Sequence, residues 1–214
     1  MIACFARLRP STCVVGLSSL LISLLIPTRS LEEMQARRFH ETSNIYSVLR
    51  SHRMDLTQPS VWTIAKTIWK ESQRYSLDPM LVLALIRVES HFCHGAVSTE
   101  GARGLMQLRP PVAAALATEA ALKRWEGEIT LDDPIINIKL GVLYLHHLKQ
   151  RFGDVRIALT AYNWGPTWVQ RRIEGRKALP LGYASKILSM SRNYREQSQQ
   201  AQNSLRPQTG KMNI

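Results

Sequence analysis

Cysteine is scarce in this chain, with three in 214 residues, at Cys4, Cys13 and Cys93. No C-x-x-C pair occurs, so the usual zinc and dithiol spacings are absent. Cys93 stands between His91 and His94. That H-F-C-H run crowds its ligand types closer than any standard zinc spacing, and a small, half-buried thiol is the expected role. Convincing period-two alternation is missing, which argues against a sheet. No internal repeat is visible, which argues against a solenoid. The longest apolar run falls short of the ~20 residues that a comfortable membrane span needs. The basic residues are scattered, with no basic–aromatic register, so charge alone does not point to nucleic acid.

What is present begins with an N-terminal export pattern. Arg7 and Arg9 precede Thr12 to Ile26 (TCVVGLSSLLISLLI), and Pro27-Thr28-Arg29-Ser30 follows. Such a basic start, short apolar core and small-residue exit suit a cleaved signal or an N-terminal anchor over residues 1–30. Setting aside Arg7, Arg9 and Arg29 lowers the net charge from +12 to +9. A basic exported domain suits an anionic partner such as peptidoglycan, or a membrane surface.

The remainder reads as all-α. Residues 31–60 are polar and basic with a weak helical rhythm, expected to be a partly helical spacer. Ile64, Ile68 and Tyr75 then share a helical face. Asp78-Pro79, Asp133-Pro134 and Asp154 each supply a helix cap. A helix is expected from Ala113 to Trp125, stopped by Gly127. Residues 93–111, with Gly95, Gly101, Gly104, Pro110 and Pro111, read as loop and turns. The ordered domain is expected over 61–195, and the Gln/Ser/Asn-rich stretch 196–214 as a disordered tail.

One carboxylate stands out. Glu89 closes the run Met80-Leu81-Val82-Leu83-Ala84-Leu85-Ile86-Arg87-Val88, a helix apolar almost all round and therefore a core helix. A carboxyl group at the end of such a helix is partly desolvated, which raises its pKa toward that of a general acid. Four segments accompany it. The first is Glu89-Ser90-His91-Phe92. The second runs from Ala96 and Ser98 through Gly101-Ala102-Arg103-Gly104-Leu105-Met106-Gln107 to Pro110. The third joins Asp133, Pro134, Asn137, Ile138, Gly141, Tyr144 and Leu145. The fourth is Ala161-Tyr162-Asn163-Trp164-Gly165-Pro166.

In order and spacing these segments resemble the lytic transglycosylases of the soluble-lytic-transglycosylase (SLT) type, glycoside hydrolase family 23, related to goose-type lysozyme. The resemblance covers residues 64–190. It implies a lysozyme-like, all-α catalytic domain acting on peptidoglycan with no metal or cofactor. Glu89 would be the single catalytic acid. It would protonate the bond between N-acetylmuramic acid and N-acetylglucosamine, then take a proton from the muramic C6 hydroxyl as a 1,6-anhydro ring closes.

Ser98, Gly104, Met106, Gln107, Tyr162, Asn163 and Tyr183 are the expected substrate-binding residues. Met106 serves either as a soft apolar wall or as core. Tyr162 serves either to steer Glu89 or as a core ring, and Tyr183 opens the final helix near the site. A goose-lysozyme-like hydrolase with Glu100 as second carboxylate, and a catalytically dead peptidoglycan-binding protein, are the competing readings. An exported enzyme of this size suits local wall opening for a secretion, conjugation or flagellar machine. The chain departs from the pattern at Cys93-His94, at Pro111-Val112 and at Trp164, where small residues are usual.

Overall fold

The computed structural model describes residues 18–52, 54, 58–120, 122 and 125–205. Of the expected export segment, residues 1–17 lie outside the described residues. Helix α1 (Ser18–Ser51) runs through residues 31–51, part of the stretch expected to be a partly helical spacer. No described helix is long and apolar enough to cross a membrane. The chain divides into two units at His40/Glu41. The first carries exposed Leu31, Met34 and Phe39. In the second, Ile45, Val48 and Leu49 are buried in the main core, so that core starts well before Val61.

Among the described residues the second unit is helical and holds no strand. Helix α2 (Gln58–Arg74) buries Ile64, Ala65 and Ile68. Helix α3 (Pro79–Ser90) is the core helix that the apolar run implies. Asp78 caps it by accepting the Met80 N–H at 2.9 Å, and Met80 through Ile86 are all buried. Helix α4 (Pro110–Glu119) starts earlier than its alanine run suggests. Pro110 and Pro111 occupy the first turn, where a missing N–H costs nothing. The chain has left helix before Trp125, and a 3-10 turn fills Gly127–Asp132.

Helix α5 (Pro134–Phe152) is capped by Asp133, which accepts from Ile135 N at 2.7 Å. Helix α6 (Val155–Trp164) is capped in the same way by Asp154. A sharp turn at Gly165 leads into α7 (Pro166–Glu174). Helix α8 (Gly182–Leu205) packs on α3 and continues through residues 196–205, which were expected to be a disordered tail. Gln, frequent there, is a competent helix former.

Helix α5 carries the constraint that shapes the loop between α3 and α4. Asn137 is fully buried on it. Its Oδ1 accepts the Met106 N–H at 2.8 Å. Its Nδ2 donates to Arg103 O at 2.9 Å and to Leu131 O at 3.0 Å. One amide thus satisfies three backbone groups, two of them in buried bonds. At Gly104 (φ +78°) a Cβ would sit 2.6 Å from Asn137 Cγ, so glycine is required for both conformation and space. One helical turn on from Asn137, a Cβ at Gly141 would lie 2.7 Å from Met106 Cβ. The Met106 side chain therefore fills the place of a missing one on α5.

Replacing Asn137 with Ala strands the Met106 N–H and the Leu131 carbonyl in the interior, while Arg103 O keeps the Leu108 N–H, and should cost about 2–4 kcal/mol. Urea unfolding checks this, with a lowered midpoint at an unchanged slope as the expected result.

Candidate active site

Three helix ends converge. The C-terminal end of α3 delivers Glu89, that of α6 delivers Tyr162 and Asn163, and the start of α8 delivers Tyr183. The chain leaves α3 with His91 at φ +53° and Phe92 at φ +66°, and Gln107 at the far side of the loop has φ +47°. Such left-handed non-glycine residues cost about 1 kcal/mol or more each, and they persist only where surrounding packing enforces them. Here buried Phe92 anchors the turn in the core.

Glu89 is half-buried, and its Oε1 accepts a short hydrogen bond from the Tyr183 hydroxyl. Burial raises the Glu89 pKa above the usual carboxylate value, while the Tyr183 bond, which favours the charged form, pulls it down. Burial is the larger effect. No other carboxylate contributes, and no further hydrogen bond to the Glu89 carboxyl occurs among the described residues. The second oxygen can therefore meet a substrate. Tyr183 is itself pushed far above its ordinary pKa, first by burial and then by the Glu89 charge, so it stays a donor at any working pH.

Tyr162 takes a different role from the one its position suggests. Its hydroxyl donates to Met106 O at 2.8 Å rather than to Glu89. Its ring packs against all three apolar clusters of the domain. Burial first, and the Glu89 charge second, hold its pKa well above normal, so it is a permanent donor near the acid.

Several expected contact residues turn out to shape the loop. Ser98 Oγ accepts the Ala102 N–H at 3.0 Å. Gly104 is buried against Asn137. Met106 is 0% exposed, so its side chain is core and not groove wall. The Gln107 amide donates to Ala96 O and Gly104 O, both at 3.0 Å, and is not free for a sugar through those hydrogens. Isolated bridges Val97↔Arg103 and Arg103↔Leu108 close this loop. Asn163 is exposed on the rim. Cys93 is also exposed, not half-buried, and no described group of three His, Cys, Asp or Glu side chains could hold a metal.

Four contributors escaped sequence reasoning. Asn137 was visible as a motif position, and its signal was a lone amide on an apolar helix face. Asp132, beside the cap residue Asp133, pairs with Arg103 through bonds of 2.8 and 3.1 Å and ties the loop to the 3-10 turn. Tyr144 lies 5.2 Å from the Tyr162 ring, centroid to centroid. Arg109 sits with Leu108, Tyr144, Tyr162 and Trp164 around a pocket of ≈ 190 Å³. A larger concavity of ≈ 640 Å³ opens around Asp78, Lys149 and Arg195. It lies at the opposite end of α3, ~16 Å from Glu89 by helix rise. Both of its carboxylates are held in ion pairs, Arg195–Asp78 at 2.8 Å and Arg156–Asp154 at 3.0 Å. Volume and chemistry thus point to different places: Glu89 lines neither concavity, and the smaller one adjoins it through Tyr162, which feels the Glu89 charge.

A helical domain with one half-buried carboxyl held by a tyrosine fits a lysozyme-like fold. The chain belongs to the Transglycosylase SLT domain family, whose profile matches residues 66–181. It is 38% identical over 100 residues to the transglycosylase of Enterobacteria phage PRD1, covering 47% of this chain and 34% of that protein. It is 37% identical over 92 residues to the soluble lytic murein transglycosylase of Salmonella typhimurium, covering 41% of this chain and 14% of the relative. An inactive mutant of lytic transglycosylase Slt from Pseudomonas aeruginosa superposes with a TM-score of 0.55 at 28% identity. That match covers 66% of this chain and 24% of the other. The chain thus matches 34% or less of the length of each of these proteins.

Tyr183→Phe removes the hydrogen bond that favours the Glu89 carboxylate. The Glu89 pKa should then rise further, and the protonated acid should survive to higher pH. The high-pH limb of the activity profile should move up by roughly half to one pH unit. An unmoved limb, measured on purified cell-wall sacculi, would count against the Tyr183 assignment.

Proposed function

We propose that the chain is a peptidoglycan lytic transglycosylase with Glu89 as its sole catalytic carboxyl group. The observation that carries this reading is the shielded, tyrosine-held Glu89 within the family's motif. The protonated carboxyl gives its proton to the glycosidic oxygen as the bond from C1 of N-acetylmuramic acid breaks. The substrate's own acetamido oxygen stabilises the positive centre at C1. Glu89, now a carboxylate, takes the proton of the muramic C6 hydroxyl while that oxygen bonds C1 and closes the 1,6-anhydro ring. No water is consumed and Glu89 ends protonated again. A raised pKa suits both halves of the cycle, since the group must hold a proton before the first and accept one in the second.

A hydrolase of the goose-lysozyme kind would need a second, water-activating carboxylate. Glu100 is exposed in the loop and is not among the groups that influence Glu89, which favours the transglycosylase. Ser98, Gly104, Met106 and Gln107 support the site through the loop, and Asn163 lines its rim. Export by residues 1–30, a location in the periplasm or cell envelope, and service to an envelope-spanning secretion, conjugation or flagellar machine complete the proposal. Loss of that machine's function on deletion would support it, and a pure wall-turnover defect would oppose it.

Mass spectrometry of muropeptides released from sacculi tests the reaction. Products ending in 1,6-anhydro-muramic acid are expected, each lighter by one water than the reducing-end product of a hydrolase. Glu89→Gln should lower release by at least about 100-fold.

A second measurement reports the held proton. A raised carboxyl pKa contributes stability that is complete below the ordinary glutamate value of ~4.3 and is lost as pH rises through the folded-state value. Glutamine cannot ionise. The Tm of Glu89→Gln relative to the parent should therefore be higher at about pH 8 than at about pH 4. An identical Tm difference at both pH values would mean that Glu89 is not held protonated.

A further inference from the structure

Trp164 stands where its family's motif usually has a small residue, and nothing in the acid chemistry calls for an indole there. It is the last residue of α6, followed by Gly165 at φ +85°. That conformation suits glycine and turns the chain directly into α7. One turn into α7 lies Trp168. The two indoles stack with centroids 4.8 Å apart and planes 20° from parallel. Trp168 is braced in turn, since the Arg172 guanidinium lies 5.0 Å from its ring centroid and Arg172 Nε donates to Ala178 O at 2.9 Å. Val169, beside Trp168, is fully buried and fixes α7 to the domain.

Trp164 is thus held in place yet remains 49% exposed. An indole left this open forgoes the burial that such a ring usually gains. It also lines the ≈ 190 Å³ pocket together with Tyr162 and Tyr144. Stacking on Trp168 occupies one face of the ring, and the pocket that Trp164 lines adjoins Glu89 through Tyr162, which feels the Glu89 charge.

We propose that Trp164, backed by Trp168 and Arg172, is a stacking platform for one further N-acetylated pyranose of the bound glycan, beyond the sugars flanking the cleaved bond. The proposal rests on the peptidoglycan reading of the cleft. One face of a β-linked N-acetylhexosamine presents axial C–H groups, and a flat aromatic surface buries them without desolvating the hydroxyls around the ring edge. Two stacked rings held by a guanidinium make that surface rigid, so little side-chain freedom is lost on binding. The continuity of the platform with the pocket selects a glycan over a separate protein partner. A platform outside the cleaved bond makes Trp164 a determinant of chain-length preference rather than a catalytic residue.

The test uses the full chain carrying Glu89→Gln, titrated calorimetrically with N-acetylglucosamine oligomers of increasing length and with isolated glycan strands. Adding Trp164→Ala should weaken the longer oligomers about tenfold, the loss of one stacked sugar face, and leave the shortest binders unchanged. Trp164→Phe should recover most of the loss, and the thermal transition of each variant shows whether the fold is intact. Equal affinity of the Trp164→Ala and parent proteins for long oligomers would overturn the platform and leave the reading of the cleft standing. A Glu89→Gln chain that bound neither oligomers nor strands would overturn both. Uniform weakening at every length would assign Trp164 to the cleaved-bond sugars and overturn the separate platform.

Discussion

Asn137 makes its three hydrogen bonds from the buried face of α5, and the loop between α3 and α4 takes its form from them. The amide holds Met106 N, Arg103 O and Leu131 O at once. Gly104 leaves room for it, and Gly141 leaves room for the Met106 side chain that the same bonds draw inward. With Met106 fixed, its carbonyl is available to the Tyr162 hydroxyl. The end of α6 is thereby registered against the loop. Arg103 adds a tie to Asp132, so the loop is held from α5, from α6 and from the 3-10 turn. A buried polar group of this kind is costly unless every partner is met, and here the described partners are met together.

Glu89 depends on this frame without touching most of it. Its raised proton affinity comes from burial at the end of α3, opposed by Tyr183 from α8. The two effects are supplied by different elements. The helix end removes water, and the tyrosine keeps the carboxyl aimed and limits how far its pKa climbs. Charge from a neighbouring carboxylate is not needed to tune it, in contrast to enzymes that set two acids apart through mutual repulsion.

Much of this was legible in the sequence because it is written in local chemistry. Asp78, Asp133 and Asp154 cap helices as their spacing implies. The apolar run before Glu89 is the core helix, and Glu89 is desolvated as that predicts. Side-chain direction was less legible. Met106 faces the core because Gly141, on a helix distant in sequence, leaves a gap for it. Asp132 pairs with Arg103, while its neighbour Asp133 takes the cap. Tyr183, expected only to lie near the site, is the tyrosine that reaches the acid, and Tyr162 takes the core position that was its second reading, since only the packing of α8 on α3 decides which hydroxyl reaches Glu89. The ends of the domain were misjudged for a related reason. Polar stretches at 41–51 and 196–205 have weak rhythms of their own, and tertiary contact or helix propensity extends the helices through them.

The Tyr162 ring meets all three apolar clusters of the domain. It works as a keystone, so separating any two clusters means moving that ring and, through Met106 O, the loop beside the acid. The cleft therefore shares the slow opening of the interior rather than the fast motion of the surface. Under the proposed function, a glycan would meet a mould that is already set, and fitting would fall to the sugar chain and to the few side chains on the rim.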